Sequence, residues 1–284
     1  MTSTNSMPTV AELIEIKNQK KVHDFRELIE FLERNKSPDY PTLISIVLPM
    51  YNEEKVIRKV LESLPEHEQV EIIVVNDHST DNSLEEIKKV KSNQNIRIIH
   101  HKKNRGYGGA ITTGMKYAKG FVVVSMDSDG QHSAKDILIL IKPIIEGKSD
   151  LTIGSRYLGS YNYRLPLLRQ IGEILAEKVI RVLFGLRIKN NQNGFRAYNR
   201  KVIKLFKNTR FPDYAFCTEQ ILKAKIYGYR IKECPIIVYG REHGASKLTI
   251  IKLAFNIFSC LLIFYIKKVE VKLANKSKFF SIIF

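Results

Sequence analysis

Residues 121–147 read FVVVS-MDSDGQH-SAKDILILIKPIIEG. The first block is a short apolar run bounded by polar residues, which is the pattern of a buried strand. The last block carries Ile and Leu at helical spacing behind Ser133, a natural cap. Between them stand Asp127 and Asp129, with Gly130 and Gln131 directly after. Side chains two apart on a strand share a face, so the two carboxylates can converge on one hard cation, with Gln131 as a further oxygen ligand. An all-oxygen set with open positions suits Mg²⁺ or Mn²⁺ that also binds substrate phosphates. An EF-hand is excluded, because Gly130 falls at loop position four rather than six and Leu138 occupies the glutamate position. The competing reading is an Asx-type turn that caps the helix at Ser133.

The same alternation extends in both directions. Apolar runs recur at LISIVL, EIIVV, IRIIH and DLTIG, separated by helical stretches at 53–64, 83–91, 108–119 and 134–146. Strands that are apolar throughout and alternate with helices predict an α/β fold, a mostly parallel sheet with helices on both faces. Ligands in such folds bind beyond the carboxyl ends of the strands, so the residues after each strand are the informative ones. The first strand stops at Pro49 and is followed by Tyr51, Asn52 and Glu53. The second ends at Asp77, with Ser79, Thr80 and Asp81 as caps. An aromatic ring with amide and carboxylate groups at adjacent strand ends can grip a nucleobase and ribose. The third leads into NRGYGGA, where Gly106 and Gly108 precede a helix whose free N–H groups favour an anion. The spacing is neither GxGxxG nor a P-loop. Further along, an amphipathic helix is predicted over 167–184, a turn at NNQNGF, a helix over 218–227 and a strand over 230–238.

With 46 Lys and Arg against 29 Asp and Glu the chain carries a net charge of +17, a field that attracts phosphates and anionic lipid. Nucleic acid is disfavoured, because the basic residues are spread along the whole chain and no recognised binding module appears. Cys217, Cys234 and Cys260 form no CxxC pair, which argues against structural zinc and disulfides and fits a reducing compartment. The polar, charged amino terminus is read as lacking a signal peptide. Residues 1–41 are expected to form one or two amphipathic helices and a linker, packed on the main domain or serving as a partner surface, 42–248 the main domain, and 249–284 a membrane-associating helix with a basic tail.

PMYNEE, VVNDHSTDNS, NRGYGGA, DSDGQH, GSRY, GFRAYNR and REHGASKL, in this order, resemble a family 2 inverting glycosyltransferase of the GT-A fold. The DSDGQH, GSR and SKL elements are most similar to polyprenyl-phosphate sugar transferases such as dolichyl-phosphate mannose or glucose synthases. The resemblance spans residues 45–248. It implies a nucleotide-sugar donor (UDP or GDP), a divalent metal at the Asp-x-Asp motif, and transfer to a polyprenyl or dolichyl phosphate with inversion. It places Pro49, Tyr51, Asn52, Glu53 and Asp77 around the nucleoside, and Gly106, Gly108, Asp127, Ser128 and Asp129 near the diphosphate. Asp127, Asp129 and Gln131 fall at the metal. Arg156, Arg196, Arg241 and Lys247 fall where phosphates are handled, guanidinium forks and an ammonium being suited to them. Asp129, Arg156, Arg241 and Lys247 thus form the catalytic set, joined by Glu219 where related members place a base for hydroxyl acceptors. Two departures remove negative charge from that pattern, Asn76 after the second strand and Asn190 ahead of Gly194.

A lipid acceptor requires membrane access. LAFNIFSCLLIFYI, 253–266, is fourteen residues, short of the roughly twenty that span a bilayer. It reads as an interfacial helix backed by Lys267 and Lys268, which puts the protein on the cytoplasmic face of a membrane, peripheral or monotopic. The alternatives are transfer to a saccharide or protein hydroxyl, and a non-catalytic basic membrane-binding protein. The sugar and the oligomeric state stay open.

Overall fold

The computed structural model describes residues 25–91, 95–163, 166–241 and 250–283. Lys247 and the expected helices before residue 25 lie outside the described residues. A seven-stranded sheet forms the centre, in the order β3-β2-β1-β4-β6-β5-β7. Its strands are β1 (Ile44–Met50), β2 (Val70–Asn76), β3 (Asn95–His100), β4 (Val122–Ser125), β5 (Leu151–Tyr161), β6 (Arg196–Asn199) and β7 (Ile231–Val238). All neighbours run parallel except β6, which is antiparallel to both β4 and β5. β1, β2 and β4 are buried on both faces because helices cover both, which their Val/Ile-rich runs require, and the buried Ser45 of β1 donates its hydroxyl to Glu71 of β2.

The helices are α1 (Arg26–Arg34), α2 (Ile57–Glu62), α3 (Ser83–Lys88), α4 (Gly106–Tyr117), α5 (Ile137–Ile145), α6 (Leu167–Phe184), α7 (Arg200–Ile203), α8 (Phe216–Ile226) and α9 (Ile250–Ile283). One core layer joins α1, α2 and α5 to the sheet, with Leu32, Ile57, Leu61 and Ile141 fully buried. The other joins α4, α8 and the inner side of α9 through Ile111, Phe216, Ile221 and Cys260. Helix α1 therefore belongs to the packed domain, through Leu28 and Leu32.

The mostly parallel sheet covered on both faces is as the alternation predicts. Three differences bear on the site and its surroundings. The helix expected from Glu53 begins at Ile57, because residues 52–54 are drawn across to the β2–α3 loop. The Asn52 N–H donates to Ser79 Oγ, the Glu53 N–H to Ser83 Oγ and the Glu54 N–H to Asp81 Oδ2. Strand β6 has four residues, too few to show a period, and follows what reads as a plain turn. The apolar tail is one helix of 34 residues rather than fourteen, about 50 Å at 1.5 Å per residue. Among the described residues no helix is long and apolar enough to cross a membrane.

Candidate active site

The carboxyl ends of β1, β2 and β4 lie side by side, with Met50 opposite Asn76 and Val47 opposite Ser125. Asp127 and Asp129 emerge from the end of β4. Ser128 points back between them, donating its hydroxyl to the Pro49 carbonyl at 2.6 Å. It thus ties the acidic loop to the end of β1 and is a strut rather than a ligand contact. Asp127 Oδ1 is buried, with the Tyr107 hydroxyl as the hydrogen-bonding neighbour of the carboxylate, although the side chain as a whole is 29% exposed. A buried carboxylate met by only one neutral hydroxyl is costly unless something cationic completes it. His132 stands 3.9 Å from Asp127 Oδ2, its own Nδ1 buried without a partner. Burial raises the Asp127 carboxyl above its usual range; His132 opposes this and Asp129 reinforces it.

Asp129 is held differently. Its Oδ2 meets the Arg241 guanidinium at 2.6 Å, and Oδ1 accepts the Gln131 N–H at 3.1 Å. Arg241 arrives there because β7 is bound to the acidic loop. His132 bridges Val238, the Tyr239 N–H donates to the Gln131 carbonyl, and the Gln131 amide donates to the Tyr239 carbonyl. The carboxamide spends Nε2 on that contact and keeps Oε1 for another. The antiparallel β6 completes the wall. Ser125 Oγ donates to the Gly194 carbonyl at 2.6 Å, which places Gly194 against Asp127. A Cβ at residue 194 would stand 2.3 Å from the Tyr107 hydroxyl and 2.5 Å from Asp127 Oδ1. Tyr107 stacks on Tyr214, ring centroids 5.1 Å apart. Burial, and then the Asp127 charge, pushes the Tyr214 phenol up to about 12, so both rings stay neutral donors.

On the β1–β2 side Asp77 is buried. Its Oδ1 accepts from His101 Nδ1 at 2.6 Å and from the Arg105 N–H at 2.8 Å, while His101 Nε2 reaches Thr113 Oγ1. Asp77 thus fixes the loop ahead of α4. Asn52 has φ +58°, and its side chain takes the Thr80 N–H at 2.8 Å. Tyr51 remains half-exposed at the mouth.

Several expected site residues are placed elsewhere. Glu219 is fully buried. Its oxygens accept the N–H groups of Arg210 and Phe211 at 2.9 to 3.0 Å and pair with Lys223 at 2.7 Å. It anchors the chain ahead of α8 and is sealed from any substrate, which corrects its reading as a base. The glycine-rich turn is also corrected. The Gly106 N–H donates to Asn104 Oδ1 and the Gly108 N–H to the Pro212 carbonyl, so neither is offered to a diphosphate. Glycine is required at 106 by φ +76° and at 108 by the Phe216 side chain, 2.8 Å from where a Cβ would sit. Arg196 is fully buried, its guanidinium spent on the carbonyls of Asn191, Asn193 and Cys217 and on Gln220. Arg156 is buried against Glu173 of α6, at 2.5 and 2.6 Å, with Tyr163 also in contact. Both arginines hold the framework instead of facing a phosphate.

Tyr107, Tyr214, His101 and His132 are the neighbours that sequence reading did not assign. For Tyr107 and His132 the signal was their place inside the glycine-rich and acidic stretches. Tyr214 lies in a loop with no pattern around it.

The profile of Glycosyl transferase family 2 matches residues 45–206. The UDP-N-acetylglucosamine–dolichyl-phosphate N-acetylglucosaminyltransferase of Methanococcus voltae is 33% identical over 245 residues, covering 80% of this chain and 98% of that protein. The dolichol-phosphate mannosyltransferase of Pyrococcus furiosus is 30% identical over 213 residues, covering 72% of this chain and 59% of that protein. Among solved structures, glucosyl-3-phosphoglycerate synthase from Mycobacterium tuberculosis, in complex with Mn²⁺, UDP and glucosyl-3-phosphoglycerate, superposes with a TM-score of 0.63 at 20% identity, each chain covered to 82%. That likeness gives the fold, GT-A.

Proposed function

This chain belongs to glycosyl transferase family 2 and is a glycosyltransferase, and from that premise we propose that it transfers a sugar from a UDP- or GDP-sugar to a polyprenyl or dolichyl phosphate, with inversion. One observation carries the location of the chemistry: two carboxylates, the mostly buried Asp127 and Asp129, side by side at the carboxyl end of β4, with neutral Tyr107 and distant His132 beside Asp127. Asp127, Asp129 and the Oε1 of Gln131 suit a divalent cation, Mg²⁺ or Mn²⁺. Among the described residues no third His, Cys, Asp or Glu joins such a group, so the rest of a coordination shell falls to water and donor phosphates. When bound, such a cation neutralises charge building on the departing diphosphate.

The chain's own residues account for the remainder. Tyr51, Asn52, Glu53 and Asp77, beyond Pro49, frame the nucleoside end. Arg241, beside Asp129, offers a fork to the leaving group, and Lys247 adds a point charge by the resemblance. Tyr107 and Tyr214, as neutral hydroxyls, hold the sugar side of the site. A lipid phosphate is ionised at neutral pH and attacks without a base, whereas a hydroxyl needs one. The burial of Glu219 removes the candidate base and so favours the phosphate acceptor, in line with the names of the Methanococcus and Pyrococcus relatives.

Membrane access is supported by two unpartnered stripes. Leu167, Ile171, Ile174, Leu175 and Val182 lie exposed along α6. Phe255, Phe258, Leu262, Ile266, Val269 and Leu273 do so along α9, three and four residues apart. The two helices meet through Phe184 and Tyr265 and through Lys268, which donates to the Leu183 carbonyl at 2.6 Å. Exposed apolar stripes flanked by Lys178, Arg181, Lys267 and Lys272 fit a helix pair lying on an anionic bilayer.

The test is incubation with Mn²⁺ or Mg²⁺, radiolabelled UDP- and GDP-sugars, and either a short polyprenyl phosphate or saccharide acceptors. Label passing into the organic phase only with the lipid phosphate, and lost with chelator, is the expected result. Label on a saccharide with none on lipid would overturn the acceptor and keep the glycosyltransferase.

A further inference from the structure

A cavity of about 430 Å³ lies between the end of α8 and the middle of α9, away from the acidic loop. Its floor is apolar, from Ile226, Ile263 and Phe264, and its rim carries Arg210, Lys223 and Lys267 against one carboxylate, Glu270. Among the described residues nothing takes up the Arg210 guanidinium. Only its backbone N–H is engaged, by Glu219. The Lys223 ammonium gives one hydrogen bond to Asn208 O at 2.6 Å and one to Glu219 at 2.7 Å, which leaves the last of its three donors. Lys267 and Glu270 pair at 3.2 Å, but both are about half-exposed, so the pair is weak and easily exchanged. Ile266 lines this cavity and also belongs to the exposed stripe of α9, so the cavity opens onto that stripe.

A ligand for such a place is an amphiphile, with an anion at the Arg210–Lys223–Lys267 rim and hydrocarbon along α9. We propose that the cavity binds the phosphate headgroup of an anionic phospholipid of the bilayer, with its chains against Ile263, Ile266 and the stripe beyond. This rests on the reading that α6 and α9 lie on a membrane. It assigns a lipid site separate from the acceptor's. The position has a consequence for the active site, because Arg210 is four residues before Tyr214, which stacks on Tyr107 beside Asp127. A phosphate held at Arg210 steadies the loop that completes the Asp127 wall.

Binding can be read without donor or bilayer. Dihexanoyl phosphatidic acid, below its micellar concentration, is titrated by calorimetry into the whole chain, with dihexanoyl phosphatidylcholine, inorganic phosphate and citronellyl phosphate as parallel arms. Phosphatidic acid is expected to bind about tenfold or more tighter than phosphatidylcholine and than inorganic phosphate, and to lose about tenfold in Arg210→Gln/Lys267→Gln. Both side chains are exposed and outside the catalytic machinery, so the variant is expected to keep its Tm and its basal transfer to citronellyl phosphate in detergent. Equal binding of the two lipids, or unchanged affinity in the variant, overturns the site. Displacement of phosphatidic acid by citronellyl phosphate, with the same variant sensitivity, overturns the phospholipid and gives the cavity to the acceptor. Failure of sugar transfer leaves all of these readouts intact.

Discussion

Two contacts at the residue scale decide how the site works. At Gly194 a methyl group would enter the site directly, 2.3 Å from the Tyr107 hydroxyl and 2.5 Å from Asp127 Oδ1. Gly194→Ala must push the carboxylate and the ring apart, an overpacking cost of about 1–3 kcal/mol. The expected outcome is a folded protein, Tm lowered by a few degrees, with transfer reduced about 100-fold or more because a misplaced catalytic group is penalised steeply. A rate within about twofold of wild type would show that the Asp127 geometry is not critical. Arg241 is the second. Its guanidinium sits on Asp129 at 2.6 Å, where it competes with any cation for that oxygen. Arg241→Gln should therefore tighten Mn²⁺ binding several-fold in the absence of donor, read by EPR of the free aquo ion, while weakening nucleoside diphosphate binding. Weaker Mn²⁺ binding in the variant would contradict the competition.

At the scale of elements, the site depends on strand ends that are tied to each other by polar links. Asp150, at the start of β5, is buried and takes the Arg230 N–H and guanidinium at 2.9 to 3.0 Å and Lys201 at 2.7 Å, joining β5 to β7 and α7. These partners, Arg230 first, hold its carboxyl well below the usual range. A depressed carboxylate contributes stability that is complete above its unfolded value, about 4, and is lost as pH falls toward the folded one. Asp150→Asn should thus cost about 1–2 kcal/mol at neutral pH, kept modest by half-exposed partners. Its Tm should converge with wild type as pH drops below about 4. A constant gap across pH would mean the loss is packing rather than charge. The elements themselves were largely legible, because β1, β2 and β4 announce themselves as Val/Ile runs and the helices between them keep their period. Strand β6 was not. Its four residues are too few for a pattern, and its role comes from pairing with β4 across some seventy residues of chain.

For the whole molecule, the legible part of the site was its chemistry and the illegible part was its partners. The paired aspartates could be read from spacing, and Arg241 only from the resemblance carried by REHGASKL. That Arg156 is claimed by Glu173, Arg196 by three carbonyls, and Glu219 by the Arg210–Phe211 backbone depends on long-range packing that no local pattern carries. The exposed stripes of α6 and α9 are the surfaces proposed to face a bilayer. Burying a large apolar side chain is worth about 1.5–3 kcal/mol, so Val182→Glu/Phe258→Glu should weaken co-sedimentation with vesicles of anionic lipid by about tenfold or more. The residual binding should be salt-sensitive, because Lys178, Lys267 and Lys272 remain. Unchanged binding would mean that these stripes do not face the bilayer.

The central claim is that sugar transfer occurs at the Asp127–Asp129 pair beyond β4. The direct measurement is the single-turnover rate of label transfer to a polyprenyl phosphate by Asp127→Asn and Asp129→Asn, with Tm recorded for each. Removing one charge from each carboxylate while keeping its shape is predicted to lower the rate about 1,000-fold or more, with Tm within a few degrees of wild type. Transfer near the wild-type rate in either folded variant would contradict the claim and move the chemistry to another part of the molecule.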